Sequence, residues 1–153
     1  MKRIIRKIAL FGFVIFLLMQ LYQPSRNTDN GKVLPSHITK QYNVPDSVNI
    51  ILATSCYDCH SNNTRYPWYS YIQPARLFME RHIRNGKKKL NFSEFGNYSK
   101  RRQENKLEGI SKQVKAGEMP LYSYTILHKN AKLTIQQKET LIRWIDDILK
   151  SNE

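Results

Sequence analysis

Both cysteines of this 153-residue chain fall in one pentapeptide, Cys56-Tyr57-Asp58-Cys59-His60. On a helical backbone that spacing sets the two thiols one turn apart. It also puts His60 four residues beyond Cys56, so that its imidazole can rise beside them. Two cysteines exclude a disulfide-dense scaffold, and a plain disulfide across two intervening residues would close a trivial loop. A structural zinc would need a second ligand pair, which the chain lacks. A thioredoxin-like redox pair needs a strand and sheet around it, and no stretch shows strand alternation. The remaining pattern, C-x-x-C-H, is the attachment signature of a haem held by thioethers from Cys56 and Cys59, with His60 as the proximal iron ligand. One covalent haem c is the expected cofactor. An exported dithiol protein without haem is the minor alternative.

Around this site the chain reads as helices joined by polar connections. Pro45-Asp46 opens one, with Val48, Ile51 and Leu52 on a single face. Pro74 opens a second, carrying Leu77, Phe78, Arg81 and Ile83, with Asn85-Gly86 as its expected end. A third runs from about Ser99 to Ala116, with Leu107, Ile110 and Val114 inward and Gly117 as the stop. In the last, Thr134 and Gln137 have the capping-box spacing. Leu141, Ile142, Ile145, Ile148 and Leu149 form its apolar stripe, flanked by Trp144. The expected class is all-α. Four helices in about 110 residues make a thin core, which a bound group would fill.

The formal charge is +13, from 25 Lys+Arg against 12 Asp+Glu. Four of these cations, Lys2, Arg3, Arg6 and Lys7, precede an unbroken apolar run from Ile8 to Met19 that trails off through Leu21 and Tyr22. This is the pattern of an export signal. About 15 residues reach roughly 22 Å as a helix, short of a hydrocarbon core of ~30 Å. Gln23-Pro24-Ser25-Arg26 offers no small-x-small cleavage site, so residues 1–22 are expected to stay as a signal-anchor, a single-pass transmembrane helix with its basic end in the cytoplasm. Residues 23–44 then form a linker, either a tether or a wrapping segment, and residues 45–153 the domain, in the periplasm.

The sixth iron ligand has several candidates. Met119 sits in Gly117-Glu118-Met119-Pro120, where glycine and proline favour an irregular loop that presents a side chain. His82 is the alternative, followed by His128 or an open site; His37, in the linker, reads as a bystander. Arg65 and Trp68 follow the attachment site with Tyr66, Tyr69 and Tyr71, as pocket walls and propionate partners or as an aromatic cluster.

An early C-x-x-C-H, a late Met-Pro and a final helix opened by Leu-Thr and containing Trp-Ile resemble the order of class I cytochromes c. More closely, Ser55 to Asn62, Tyr66-Pro67-Trp68-Tyr69, His82-Ile83-Arg84-Asn85-Gly86, Leu90-Asn91-Phe92-Ser93, Gly117 to Pro120, Tyr124, His128 and Trp144 are similar to the small haem-binding domain of bacterial, often Bacteroidetes-type, exported proteins. The resemblance covers roughly Val44 to Leu149. It implies a cytochrome c-like helical domain around a covalent haem, with His60 proximal and Met119 distal. The stretch between the attachment site and Met-Pro is longer than in a minimal cytochrome c.

From Arg81 to Lys115 there are 11 Lys+Arg and 3 Asp+Glu, a docking face for an acidic redox partner or anionic headgroups, or a solvated helix surface. Nucleic acid is excluded as a partner by the export signal and by the lack of a recognition motif. No paired carboxylates and no nucleophile–base pair point to turnover, so a non-enzymatic electron carrier is expected. A haem-based sensor with a displaceable sixth ligand is the second reading.

Overall fold

The apolar spacings of the sequence become packed helix faces in the computed structural model, which describes residues 1–151. The helices are α1 (Lys2–Gln20), α2 (Ile38–Gln41), α3 (Asp46–Ser55), α4 (Tyr57–His60), α5 (Ala75–Lys89), α6 (Lys100–Lys115), α7 (Tyr122–Leu127) and α8 (Ile135–Ser151). Short 3₁₀ turns at Trp68–Tyr71, Phe92–Asn97 and Lys129–Ala131 join them, and no strand occurs among the described residues. The all-α expectation holds.

One face each of α3, α6 and α8 meets in the core. Val48, Ile51 and Leu52 come from α3, Leu107, Ile110 and Val114 from α6, and Leu141, Trp144, Ile145 and Ile148 from α8. Phe92 and Phe95, stacked with ring centres 6.4 Å apart, close one side. Burying a side chain of this size contributes about 1.5–3 kcal/mol. The cap of α8 forms as read: Gln137 N–H donates to Thr134 Oγ1 at 3.2 Å, and Thr134 N–H to Gln137 Oε1 at 2.9 Å. Together these satisfy two donors at the helix start.

Residues 23–44 wrap the domain instead of trailing from it. Ile38 is fully buried in the core. Gly96 N–H donates to Ser36 O at 2.7 Å, and Thr64 N–H to Asn27 O at 2.9 Å. Asn27 Nδ2 donates to Ser61 O at 2.8 Å and to Thr64 Oγ1 at 2.9 Å. This strap lacks hydrophobic periodicity because its order comes from polar bonds to the segments beside it.

Two expectations are corrected. The second helix does not end at Asn85-Gly86; α5 continues to Lys89. Gly86 is there because α5 lies against the backbone of Cys59, and a β-carbon on residue 86 would sit 2.5 Å from the Cys59 carbonyl oxygen. The second correction concerns the single-pass transmembrane helix. Among the described residues no helix is long and apolar enough to cross a membrane. The cations at positions 2, 3, 6 and 7 lie inside α1, leaving an apolar run of only ~18 Å. The helix buries none of its residues against the domain. Its end is nevertheless fastened: Gln73 N–H donates to Gln20 Oε1 at 2.9 Å, and Gln73 Nε2 to Tyr22 O at 2.6 Å.

Gly86→Ala tests the close approach. Alanine gains roughly 1 kcal/mol in helix propensity, but the forced backbone shift costs about 1–3 kcal/mol. A net loss of stability is expected in urea denaturation, whereas a rise in midpoint would contradict the contact.

Candidate functional site

The pentapeptide forms the single turn α4 directly after α3, seated against α5. His60 Nδ1 lies 3.1 Å from both Gly86 O and Leu90 O, so that nitrogen carries the proton and donates to the α5 end. Nε2 makes no hydrogen bond among the described residues and is left with its lone pair outward. Burial lowers the His60 pKa from its ordinary 6.5, which keeps the ring neutral. A neutral imidazole with one nitrogen oriented by backbone carbonyls is prepared to ligate a metal through the other.

Apolar cavities open on either side of this turn. One, about 290 Å³, is lined by Cys56, His60, Leu90, Phe92, Gly109 and Met119, among others. The other, about 440 Å³, is lined by Cys59, Trp68, Phe78, Met79, His82 and His128 along with their neighbours. The structure thus brings His60, Cys56 and Met119 to one cavity, and Cys59, Arg65, Trp68, His82 and His128 to the other. At the second cavity Trp68 is 76% exposed, Phe78 58% and Leu127 63%. Large rings and aliphatic chains left in water around a cleft mark a site that a ligand covers. Gly109 supplies a second sign. It lies within the unbroken α6, and a β-carbon there would meet nothing within 4 Å, so the helix leaves open space in the cavity that His60 also lines.

The other histidines differ in what they leave available. His82, on an exposed face of α5, has Nδ1 2.8 Å from Phe78 O. His128 Nε2 lies 2.7 Å from the Tyr69 hydroxyl, and its ring stacks on Tyr124 at 4.2 Å. His37 is buried, bonds Thr39 at 2.8 Å and meets Tyr57 edge-on. Met119 carries no comparable commitment.

Asp58, unremarked in the sequence as a functional residue, ties the site together. It is buried and receives Arg65 Nε and Nη2, each at 3.1 Å, Arg65 N–H at 3.0 Å and the Tyr124 hydroxyl at 2.6 Å. Arg65 also donates to Ala53 O at 2.7 Å. Its guanidinium therefore braces the turn through Nε and Nη2 while the residue also lines the cavity. The hydrogen bond to Asp58 raises the Arg65 pKa, and burial followed by the Asp58 bond raises that of Tyr124. The only hint in the sequence is an acid inside an otherwise apolar signature. Of the remaining aromatic residues, Trp68 and Tyr69 face the cavity, whereas Tyr66 donates to Glu80 at 2.7 Å and Tyr71 pairs with Arg26.

The thiols are poor nucleophiles. Burial, reinforced by Cys59, pushes Cys56 up to about 12, and burial with Asp58 beside it pushes Cys59 up to about 11. A reactive dithiol needs the opposite shift.

Fold and site together define an all-helical domain with an apolar cleft astride a C-x-x-C-H turn, suited to a flat, iron-bearing macrocycle. The chain belongs to the haem-binding domain family, whose model matches residues 14–147. Haem is therefore its cofactor, and the cleft, the oriented His60 and the room at Gly109 fit that group. No curated protein and no solved structure matches the chain. The family match starts inside the apolar run of α1, in keeping with the bonds that fasten Gln20 and Tyr22 to Gln73.

Gly109→Trp should fill the space beside His60. Haem incorporation, read as Soret absorbance per protein, is expected to fall severalfold while far-UV circular dichroism stays unchanged. Retained loading would show that haem does not use this cavity.

A pH dependence also follows. Burial lowers the pKa of His37, His60 and His128 in the folded protein. Below the unfolded value of about 6.5, the unfolded chain binds more protons than the folded one. Stability of the haem-free chain is thus full above that pH and declines as pH falls through it. Urea midpoints at about pH 7.5 and about pH 5 check this, the lower pH giving the lower midpoint.

Proposed function

We propose that the chain is a mono-haem c-type protein that passes single electrons on the outer side of the cytoplasmic membrane. In this reading Cys56 and Cys59 hold the haem through thioethers, His60 Nε2 is the proximal ligand and Met119 the distal one. Bound haem supplies an iron that alternates between ferric and ferrous states. The chain's own residues orient, shield and tune it. The carbonyls of Gly86 and Leu90 fix the His60 ring and raise its basicity. Leu90 and Phe92 in one cavity and Trp68 in the other would shield bound haem from water. Arg65 holds Asp58, and through it Tyr124 on the helix that follows Met119-Pro120.

The observation that carries this reading is the shared cavity of Cys56, His60 and Met119, with His60 Nε2 unbonded. A carrier rather than a catalyst is supported by the prior engagement of His128 through its Nε2. The upward shift of both thiols argues against dithiol exchange. The cationic stretch from Arg81 to Lys115 suits an acidic redox partner. An exported location is supported by the basic start and apolar run of α1, which would rest in the membrane boundary without crossing it.

A pyridine haemochrome assay on protein made with c-type maturation machinery is expected to give the thioether spectrum. Met119→Ala is expected to abolish the far-red sulfur-to-iron band and to lower the reduction potential, because a sulfur ligand favours ferrous iron. An unchanged band would move the assignment to His82 or His128. Carbon monoxide binding by the wild type would favour a sensor over a carrier.

A further inference from the structure

A further cavity lies along α5, beside the strap. It holds about 700 Å³ and is lined by the end of the α1 segment, the strap and α5. Four cations line it: Arg26 from the strap, and Arg84, Lys87 and Lys88 from α5. Two acids, Glu80 and Glu94, also line it, but each already accepts from a neutral donor. Tyr66 reaches Glu80 at 2.7 Å, and Asn62 reaches Glu94 at 3.0 Å. The one ion pair among the described residues, Arg65–Asp58, lies elsewhere. Arg26 is steadied over the rings of Tyr71 at 4.2 Å and Tyr66 at 5.1 Å, and Lys87 rests on Asn27 Oδ1 at 2.5 Å. Arg84 and Lys88 make no hydrogen bond or ion pair with the described residues. Standing four apart on one helix, they repel each other. Buried Arg76, bonded to Gln23 and to the Pro24 carbonyl at the cavity wall, also lacks a carboxylate partner.

Four converging cations against two carboxylates leave a surplus of positive charge that no ion pair takes up, which suits an external anion, and guanidinium groups match phosphate oxygens two at a time. The volume exceeds what a lone small ion needs and lies in the range of small-molecule sites. Tyr22 stands at the rim, two residues beyond α1. The large apolar side chains of that helix are exposed, including Phe11 at 68% and Leu18 at 60%. An uncovered apolar helix leading into a cationic cavity rimmed by tyrosine matches the order of acyl chain, interface and headgroup.

We infer that the cavity framed by Arg26, Arg84, Lys87 and Lys88 binds a phosphate group, supplied by an anionic phospholipid headgroup at the membrane surface where the proposed function places α1. This goes beyond haem binding, since none of the four cations lines either cavity beside the pentapeptide.

The test uses the full haem-loaded chain. Sedimentation with phosphatidylcholine vesicles is compared with vesicles containing about one third phosphatidylglycerol. The proteins are wild type, Arg84→Gln/Lys88→Gln, and a control, Lys100→Gln/Arg101→Gln, that removes the same charge from α6. All four residues are exposed, and circular dichroism verifies folding. Inorganic phosphate, followed by ³¹P line broadening, is the second probe. The expected result is a preference for anionic vesicles that falls roughly tenfold in the α5 variant and much less in the control. If wild type ignores vesicles yet broadens phosphate, and the α5 variant does not, the site stands as a free-phosphate site and the membrane placement of α1 fails. Equal losses in both variants would reduce the effect to diffuse charge and overturn the site. So would an unaltered α5 variant, or a wild type silent to both probes.

Discussion

The carbonyl of Cys59 occupies the space that a side chain on residue 86 would need, and the neighbouring carbonyls of Gly86 and Leu90 both meet His60 Nδ1. Thiol turn and α5 thereby meet in close backbone approach at Gly86, and the His60 ring ties them through two carbonyls. The direction of the free His60 nitrogen is fixed by main-chain groups, which have far less freedom than an oriented carboxylate would. The two apolar cavities lie on either side of this seat, and the faces of α5 are divided by it. A shift of the seat would disturb the ligand, the thiols and the cavity walls together.

Asp58 extends the same constraint outward. Its buried carboxylate gathers Arg65 from the following loop and Tyr124 from α7. Burying a carboxylate is unfavourable unless its lone pairs are filled, and here four donors fill them. The second layer continues from Tyr124 by stacking to His128, and from His128 to Tyr69. Residues that resemble alternative iron ligands in the sequence are used to hold the cavity wall.

What was legible in the sequence was whatever a short window contains. The capping box of Thr134 and Gln137 is closed by bonds three residues apart, and the stripe from Leu141 to Ile148 repeats within one helix. C-x-x-C-H is likewise complete in five residues, and it pointed to haem, which the family match bears out. The misread features depend on distant partners. Asn85-Gly86 has the local look of a helix end, but the glycine answers to Cys59. The importance of Asp58 becomes visible only when Tyr124, 66 residues later, is set beside it. Gly109 inside a helical run was a usable signal, since an isolated helical glycine commonly marks a close approach or a filled space. The strap had no signal of its own, because polar bonds to several separate segments leave no period.

The pair of bonds between Gln20 and Gln73, with Tyr22 held beside them, gives the end of the amino-terminal helix a mount, where the sequence left tether and wrap both open. A leash lets a domain roll and present any side to its surroundings. A mount gives the haem cleft a set bearing relative to the end of α1. Distance between the cleft and that support then varies little, and selection of a partner becomes partly a matter of angle.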